Sequence, residues 1–395
     1  MTMEPAADLL SEPRQGVVSG NLKEPVLLAD VMIDGIAAEA KPKGVETASI
    51  WNRLAITSDH PVFHRVVEGL GRVLNYKLDQ AEARQHIDRA NSVVVVIKPD
   101  NTAKVWLDGA AVIIEMLALR DMPAGSPVYD RDIGDVTGLW FPSIEVETHD
   151  RLIVIFREGW RFALFFDFTR DLPIEDAKRA LGQLYRLLKY RELYDLLGNS
   201  DQFDRLIKAG WFPFTEIVSA DFRELLGACE NGFDFDDAEE KLLAKFDPDR
   251  LDRMLARWAA KPHLASREPL LREAVETFKD GKSISVLKII LTEIEGVLRD
   301  AHKAATGESA KLPALLKFAA TSGERRAGAP DTLLFPAAFC RYLESYTFAN
   351  FDPNQDAGSA GSRHAVGHGA AASASYTRIR ALQALLTLDQ LAFYT

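Results

Sequence analysis

Hydrophobic and polar positions follow two different periods along this chain, and the change falls near residue 171. Before it, β-branched and aromatic runs dominate. SVVVVIKPDN (92–101) is a β-branched run closed by a turn signal, with TAKVWLDG a few residues on, so the two are expected to pair as a hairpin. RLIVIFREGWRFALFFDF (151–168) predicts a second hairpin with Glu158 and Gly159 in its turn. SIEVET (143–148) predicts one more strand, and helices are expected over His60–Val73 and Leu78–Ile87. Residues 1–45 show weak periodicity and read as a partly ordered lead-in. Residues 46–170 are expected to form an α+β domain with a mostly antiparallel sheet.

Beyond residue 171 the period is helical. Asp171-Leu-Pro173 signals a helix start, which LYRLLKYRELYDLL (184–197) continues, and DPDRLDRMLARWAA (247–260) is a capped amphipathic helix. Residues 171–262 read as a helical connector. Residues 263–395 predict an all-α bundle. There, a helix after Ser266 ends at Gly281, and SISVLKIILTEIEGVLRDA places Leu287, Ile290, Leu291, Ile294, Val297 and Leu298 on one stripe. LPALLKFAA (312–320) and TLLFPAAFCRYLESY (332–346) are shorter helices, with Pro336 near the first turn of the second. After a polar, glycine-containing loop (352–362), Tyr376, Ile379, Leu382, Leu385, Leu386 and Leu391 mark the apolar stripe of a last helix.

Composition narrows the function classes. The chain has 395 residues, two cysteines and a formal net charge of −11. Two cysteines without a CxxC pair exclude a disulfide framework and a cysteine-rich zinc site, and fit a reducing compartment. No opening signal peptide and no apolar run of about 18–20 residues is present, so we expect a cytoplasmic protein with no membrane partner. GxxxxGK[ST], GxGxxG and GxSxG motifs are absent, against P-loop, Rossmann and α/β-hydrolase chemistry. His60 and His64 stand four apart but lack a third metal ligand. Asp130, Asp132 and Asp135 lack the closing glutamate of a calcium loop. No metal and no cofactor is expected.

One stretch departs from the acidic background. GSRHAVGHG (361–369) sets Arg363, His364 and His368 among glycines, and no acidic residue occurs between Asp356 and Asp389, whereas Arg378 and Arg380 do. The cluster is expected at a loop-to-helix junction or in the first turns of the last helix, where free N–H groups favour anions. Arginine can hold two phosphate oxygens and stabilise developing charge, and histidine can exchange a proton near neutral pH. RNA brings its own nucleophile, the 2′-hydroxyl, so metal-free cleavage needs only a base, an acid and an anion clamp. On an ideal helix positions five apart differ by about 140° and rise about 7.5 Å. One Arg363–His368 pair therefore does not share a narrow face, and arginine's reach or a two-fold dimer would compensate.

The R-x4-H spacing of Arg363 and His368, the polar His364 after the arginine, IEGVLRD (294–300) and RIRALQALLTLDQLAF (378–393) together resemble the HEPN family. The resemblance covers about a third of the chain, the carboxy-terminal region found in many bacterial proteins. It implies a metal-independent ribonuclease of phage defence or toxin–antitoxin stress responses, acting as a homodimer with two facing motifs. By resemblance, His368 is general base or acid, Arg363 the phosphate clamp, and His364 orients the pair or binds RNA. Arg378, Arg380, Glu295 and Tyr376 are weaker RNA-binding candidates. Glu295 reads rather as a solvated or capping carboxylate, and Tyr376 rather as a core residue packed beside the motif. Two departures stand out: His364 replaces a frequent asparagine, and Gly367 and Gly369 loosen the helix. The amino-terminal domain would sense, regulate, or bind an antitoxin or trigger protein. The alternative is a non-catalytic RNA- or protein-binding dimerisation module.

Overall fold

The β-branched runs become the strands of one antiparallel sheet in a computed structural model that describes residues 20–40, 48–123, 125–328, 331–350 and 361–395. The polar loop predicted at 352–362 lies outside these residues except for Gly361 and Ser362, as does the lead-in before Gly20 and over 41–45. The protein is α+β, and its chain divides into two compact units. One holds residues 1–116, 123–126 and 136–191; the other holds 117–122, 127–135 and 192–395. Residues 171–262, predicted as a connector, are thus shared between them. The first helix of that stretch lies with the sheet and the others lie with the carboxy-terminal helices.

In the first unit the strands are β1 (Val26–Leu28), β2 (Ile36–Ala40), β3 (Ala48–Trp51), β4 (Arg53–Thr57), β5 (Ser92–Ile97) and β6 (Ala103–Leu107). They continue with β7 (Ile113–Ala118), β8 (Ile133–Trp140), β9 (Arg151–Glu158) and β10 (Arg161–Asp167), the ends of β7 and β8 belonging to the second unit. The main sheet has the order β1-β6-β5-β9-β10-β4, while β2 with β3 and β7 with β8 form two-stranded ribbons. Both predicted hairpins are present, with Val93 opposite Leu107 and Leu164 opposite Ile155. The second turn is Gly159-Trp160 rather than Glu158-Gly159, because Glu158 still pairs with Arg161 and Gly159 supplies the left-handed φ of 61°.

Alternate side chains of each central strand enter two different cores. Val93, Val95, Ile153, Ile155, Leu164 and Phe166 meet α1 (Phe63–Gln80), through Leu70, Leu74 and Leu78. Val94, Val96, Leu152, Val154, Ala163 and Phe165 meet α2 (Ile174–Lys189), through Leu181, Leu184 and Leu188. Covering both faces explains why SVVVVI is apolar throughout instead of alternating. Two expectations are corrected here. SIEVET forms no strand, since Ile144 enters the α2-side core from a turn and the segment has no pairing partner. The first predicted helix runs on to Gln80 as α1, because Leu70, Leu74 and Leu78 keep a four-residue spacing, whereas the second does not form: residues 81–86 are not helical and Ile87–Arg89 is a single 3-10 turn.

The second unit is helical: α3 (Arg191–Gly198), α4 (Ser200–Lys208), α5 (Arg223–Glu230), α6 (Asp236–Ala244), α7 (Pro248–Ala259) and α8 (Glu268–Lys279). It closes with α9 (Ser283–Thr306), α10 (Leu312–Ala327), α11 (Pro336–Tyr342), α12 (Arg363–Gly367) and α13 (Arg378–Tyr394). The break at Tyr190 divides the single helix expected over 184–197. Asp247 caps α7 by accepting from the Arg250 N–H at 2.7 Å. The predicted stripe of α9 is wholly buried. The last helix exceeds its predicted stripe: every residue from Ala381 to Tyr394 is buried, packed by α6, α7, α9 and α10. Its polar residues are spent inside. Gln390 accepts from the Thr215 N–H and hydroxyl at 2.6 and 2.7 Å, and Gln383 donates to the Ala209 carbonyl at 3.0 Å.

Candidate functional site

The Arg-His cluster is built on α12, a single turn separate from α13. Ser362 starts it, accepting from the Ala365 N–H at 3.4 Å and donating to the Ala349 carbonyl at 3.1 Å. Ala365 and Val366 are buried and fasten the turn against α9. His368 ends it at φ −89°, ψ 1°, and Gly369 turns the chain with a left-handed φ of 68°. The prediction allowed the cluster to lie in the first turns of the last helix. It does not, because this turn and a 3-10 segment at Ser373–Ser375 intervene before Arg378.

Arg363, the first residue of α12, faces α9 and pairs with Glu295 at 2.7 Å. Arg299, one turn further along α9, shares the same carboxylate. The Glu295 side chain is only 15% exposed, so the pair is better shielded from water than an ordinary surface bridge. The Arg363 Nε is buried without a hydrogen-bond partner among the described residues. His364 is half-buried and His368 exposed. Glu295 is therefore neither a capping carboxylate nor a solvated one.

The rest of IEGVLRD also has visible work. Ile294, Val297 and Leu298 are buried, and Asp300 holds Arg267 at 2.8 Å. The Arg267 guanidinium lies where a Cβ on Gly296 would be, 2.6 Å from its Nη1.

The weaker candidates lie elsewhere. Arg378 is exposed with its guanidinium carbon 5.4 Å from the centre of the Phe278 ring. Arg380 is committed inward: it donates to the Ala209 carbonyl at 2.6 Å, to Gln383 at 2.9 Å and to the Tyr346 hydroxyl. Burial pushes the Tyr346 phenol up to about 12, against the opposing pull of Arg380. Tyr376 is half-buried at the end of the 3-10 segment. The structure thus joins Arg363, Glu295 and Arg299, keeps His364 and His368 on the same turn, and sets Arg380 apart.

The sites set aside in the sequence have structural employment. His60 accepts from the Val62 N–H at 3.2 Å ahead of α1, and His64 packs edge-on against Phe63. Asp132 binds Arg120, and Asp135 is buried, accepting from Thr332 and from the Leu333 N–H at 3.1 Å. Among the described residues no group of three or more His, Cys, Asp or Glu is placed to hold a metal, and no helix is long and apolar enough to cross a membrane.

Sequence reasoning missed a buried charge chain. Arg257 on α7 pairs with Glu216 at 2.5 Å and with Asp389 of α13 at 3.0 Å, and Asp389 also accepts from the Trp258 indole at 2.7 Å. Glu216 in turn binds Arg250 at 2.8 Å, and Arg250 binds Asp221 at 2.7 Å. Burial works against charge on Arg257, but Asp389 and Glu216 outweigh it and hold the guanidinium above its ordinary range. The available signal was the spacing of Arg250, Arg253 and Arg257 on one helix, with a lone acid in the last helix.

Comparison with protein-family models, with curated proteins and with solved structures finds no match to this chain.

Proposed function

We propose that the chain is a metal-independent endoribonuclease of the HEPN type, with Arg363 and His368 as its working pair in a homodimer. The observation that carries this reading is the Glu295–Arg363 pair at 2.7 Å. It ties two segments singled out by the resemblance, 68 positions apart, and fixes the arginine on the turn that presents His368 to solvent.

The chemistry needs little else. His368 takes the proton of the 2′-hydroxyl, whose oxygen attacks the adjacent phosphorus. Arg363 holds the non-bridging oxygens as charge builds on them. A protonated histidine, His364 or the His368 of a second copy, gives a proton to the departing 5′-oxygen. The products are a 2′,3′-cyclic phosphate and a 5′-hydroxyl. On RNA binding the phosphate would replace Glu295 at one edge of the Arg363 fork, with Glu295 retained by Arg299. A bacterial defence or stress setting, with an antitoxin or trigger acting through the first unit, follows from the resemblance.

A second reading, an RNA- or protein-binding module without cleavage, draws on the same ion pair, because Arg363 already holds an anion. Gel-shift and cleavage assays on one labelled tRNA separate the two. Loss of cleavage with retained binding in His368→Ala supports the enzyme. Binding without cleavage by the wild-type dimer supports the module.

A further inference from the structure

A polar cavity of about 690 Å³ lies within the second unit, inside the size range of small-molecule sites. Helix α7 contributes Arg250, Arg253 and Arg257, spaced three and four apart and so on one face. The segment leading to β8 contributes Arg120, Tyr129 and Arg131, and the stretch before α5 contributes Glu216 and Asp221.

These cations fall into two groups. Arg250, Arg257 and Arg120 are held by carboxylates: the first two by Glu216, Arg250 also by Asp221, and Arg120 by both oxygens of Asp132 at 2.7 and 3.2 Å. Such forks are fixed and largely spent, forming a rigid frame. Lys245 is likewise on Asp221 at 3.1 Å. Arg131 and Arg253 are different. Both are exposed, and among the described residues neither forms an ion pair, although Asp130 lines the same cavity and Asp132 feels the Arg131 charge through space. Arg131 lies over the Tyr129 ring at 5.0 Å, a contact that orients the guanidinium plane yet leaves its N–H edge open.

We propose that this cavity binds a small organic phosphate, with Arg131 and Arg253 meeting the phosphate group and the framed arginines shaping the space for the rest of the molecule. Two guanidinium groups outside the ion pairs suit a dianion, and the volume exceeds what an inorganic ion fills. The site is separate from Arg363 and does not depend on the ribonuclease reading.

The test is titration calorimetry on the full chain with AMP, glucose 6-phosphate and pyrophosphate, beside adenosine, glucose and a ten-nucleotide single-stranded RNA. We expect at least one phosphate ester to bind saturably below about 1 mM and its unphosphorylated counterpart not to bind. The double variant Arg131→Ala/Arg253→Ala should weaken that binding at least tenfold with an unchanged circular dichroism spectrum, and Arg363→Ala should leave it intact. The proposal is overturned if no ester binds, if the double variant binds like the wild type, or if the RNA alone binds at these arginines.

Discussion

Replacing Asp389 by alanine should destabilise the second unit by about 3–4 kcal/mol, because it breaks a buried ion pair from one side. Asp389 is 5% exposed on α13. Its carboxylate accepts from the Arg257 guanidinium at 3.0 Å and from the Trp258 indole at 2.7 Å. Removing one member of a buried pair usually costs about 3–5 kcal/mol, since the remaining charge is left without compensation. Here Glu216 still holds Arg257 at 2.5 Å, which points to the lower end. The Trp258 N–H also loses its acceptor inside the protein, which at the low end of the cost of an unpaired buried donor adds about 1 kcal/mol. For a unit of this size each kcal/mol lowers Tm by about 2–4 °C, so the expected drop is about 6–16 °C. Asp389→Asn keeps an acceptor for Trp258 and the side-chain volume, and should lose about half as much. Scanning calorimetry at pH 7 reads both variants. A shift under about 2 °C for the alanine variant would refute the reasoning, showing that the pair is solvated and contributes little.

Other expectations follow from single features. Burial, reinforced by Lys261, holds His263 below the usual histidine range although Asp300 pulls the other way. The unfolded chain therefore takes up this proton first as pH falls, so the contribution of neutral His263 is full above about pH 6.5 and fades below it. Tm measured from pH 5 to 8 should fall on the acid side less steeply in His263→Gln than in the wild type, and equal slopes would contradict this. Gly182 of α2 faces the β8 backbone, and a Cβ there would stand 2.6 Å from the Gly138 Cα. Gly182→Ala should then cost at least about 2 kcal/mol in urea unfolding, while a neutral effect would mean that α2 can move off the sheet. Glu295→Gln removes the charge holding Arg363 but keeps the shape. RNA cleavage should fall at least tenfold with Tm within a few degrees of the wild type, and unchanged cleavage would deny Glu295 a positioning role.

The strands were legible because β-branched runs bounded by turn residues have few other ways to fold. Their setting was less so. Apolar residues on both strand faces signal two covering helices, but only the structure shows Leu70 and Leu181 on opposite sides of Val93 and Val94. SIEVET misled because alternation shows which side chains are buried without naming a pairing strand. The last helix was read as one-sided since Gln383, Thr387, Asp389 and Gln390 look like a solvent face, whereas each is buried. At the candidate site the local cluster was visible and Glu295 was singled out as a weak RNA-binding candidate, but its pairing with Arg363, 68 positions away, was not legible. Arg257 and Asp389, 132 positions apart, carry no local pattern that announces their meeting.

The most direct test of the central claim is incubation of total RNA and defined tRNAs with the purified chain in EDTA, beside His368→Ala, with analysis of the fragment ends. The account predicts cleavage by the wild type alone, with 2′,3′-cyclic phosphate and 5′-hydroxyl ends and a rate that rises with dimer formation. Equal cleavage by both proteins, dependence on added metal, or no cleavage by the wild-type dimer would contradict it.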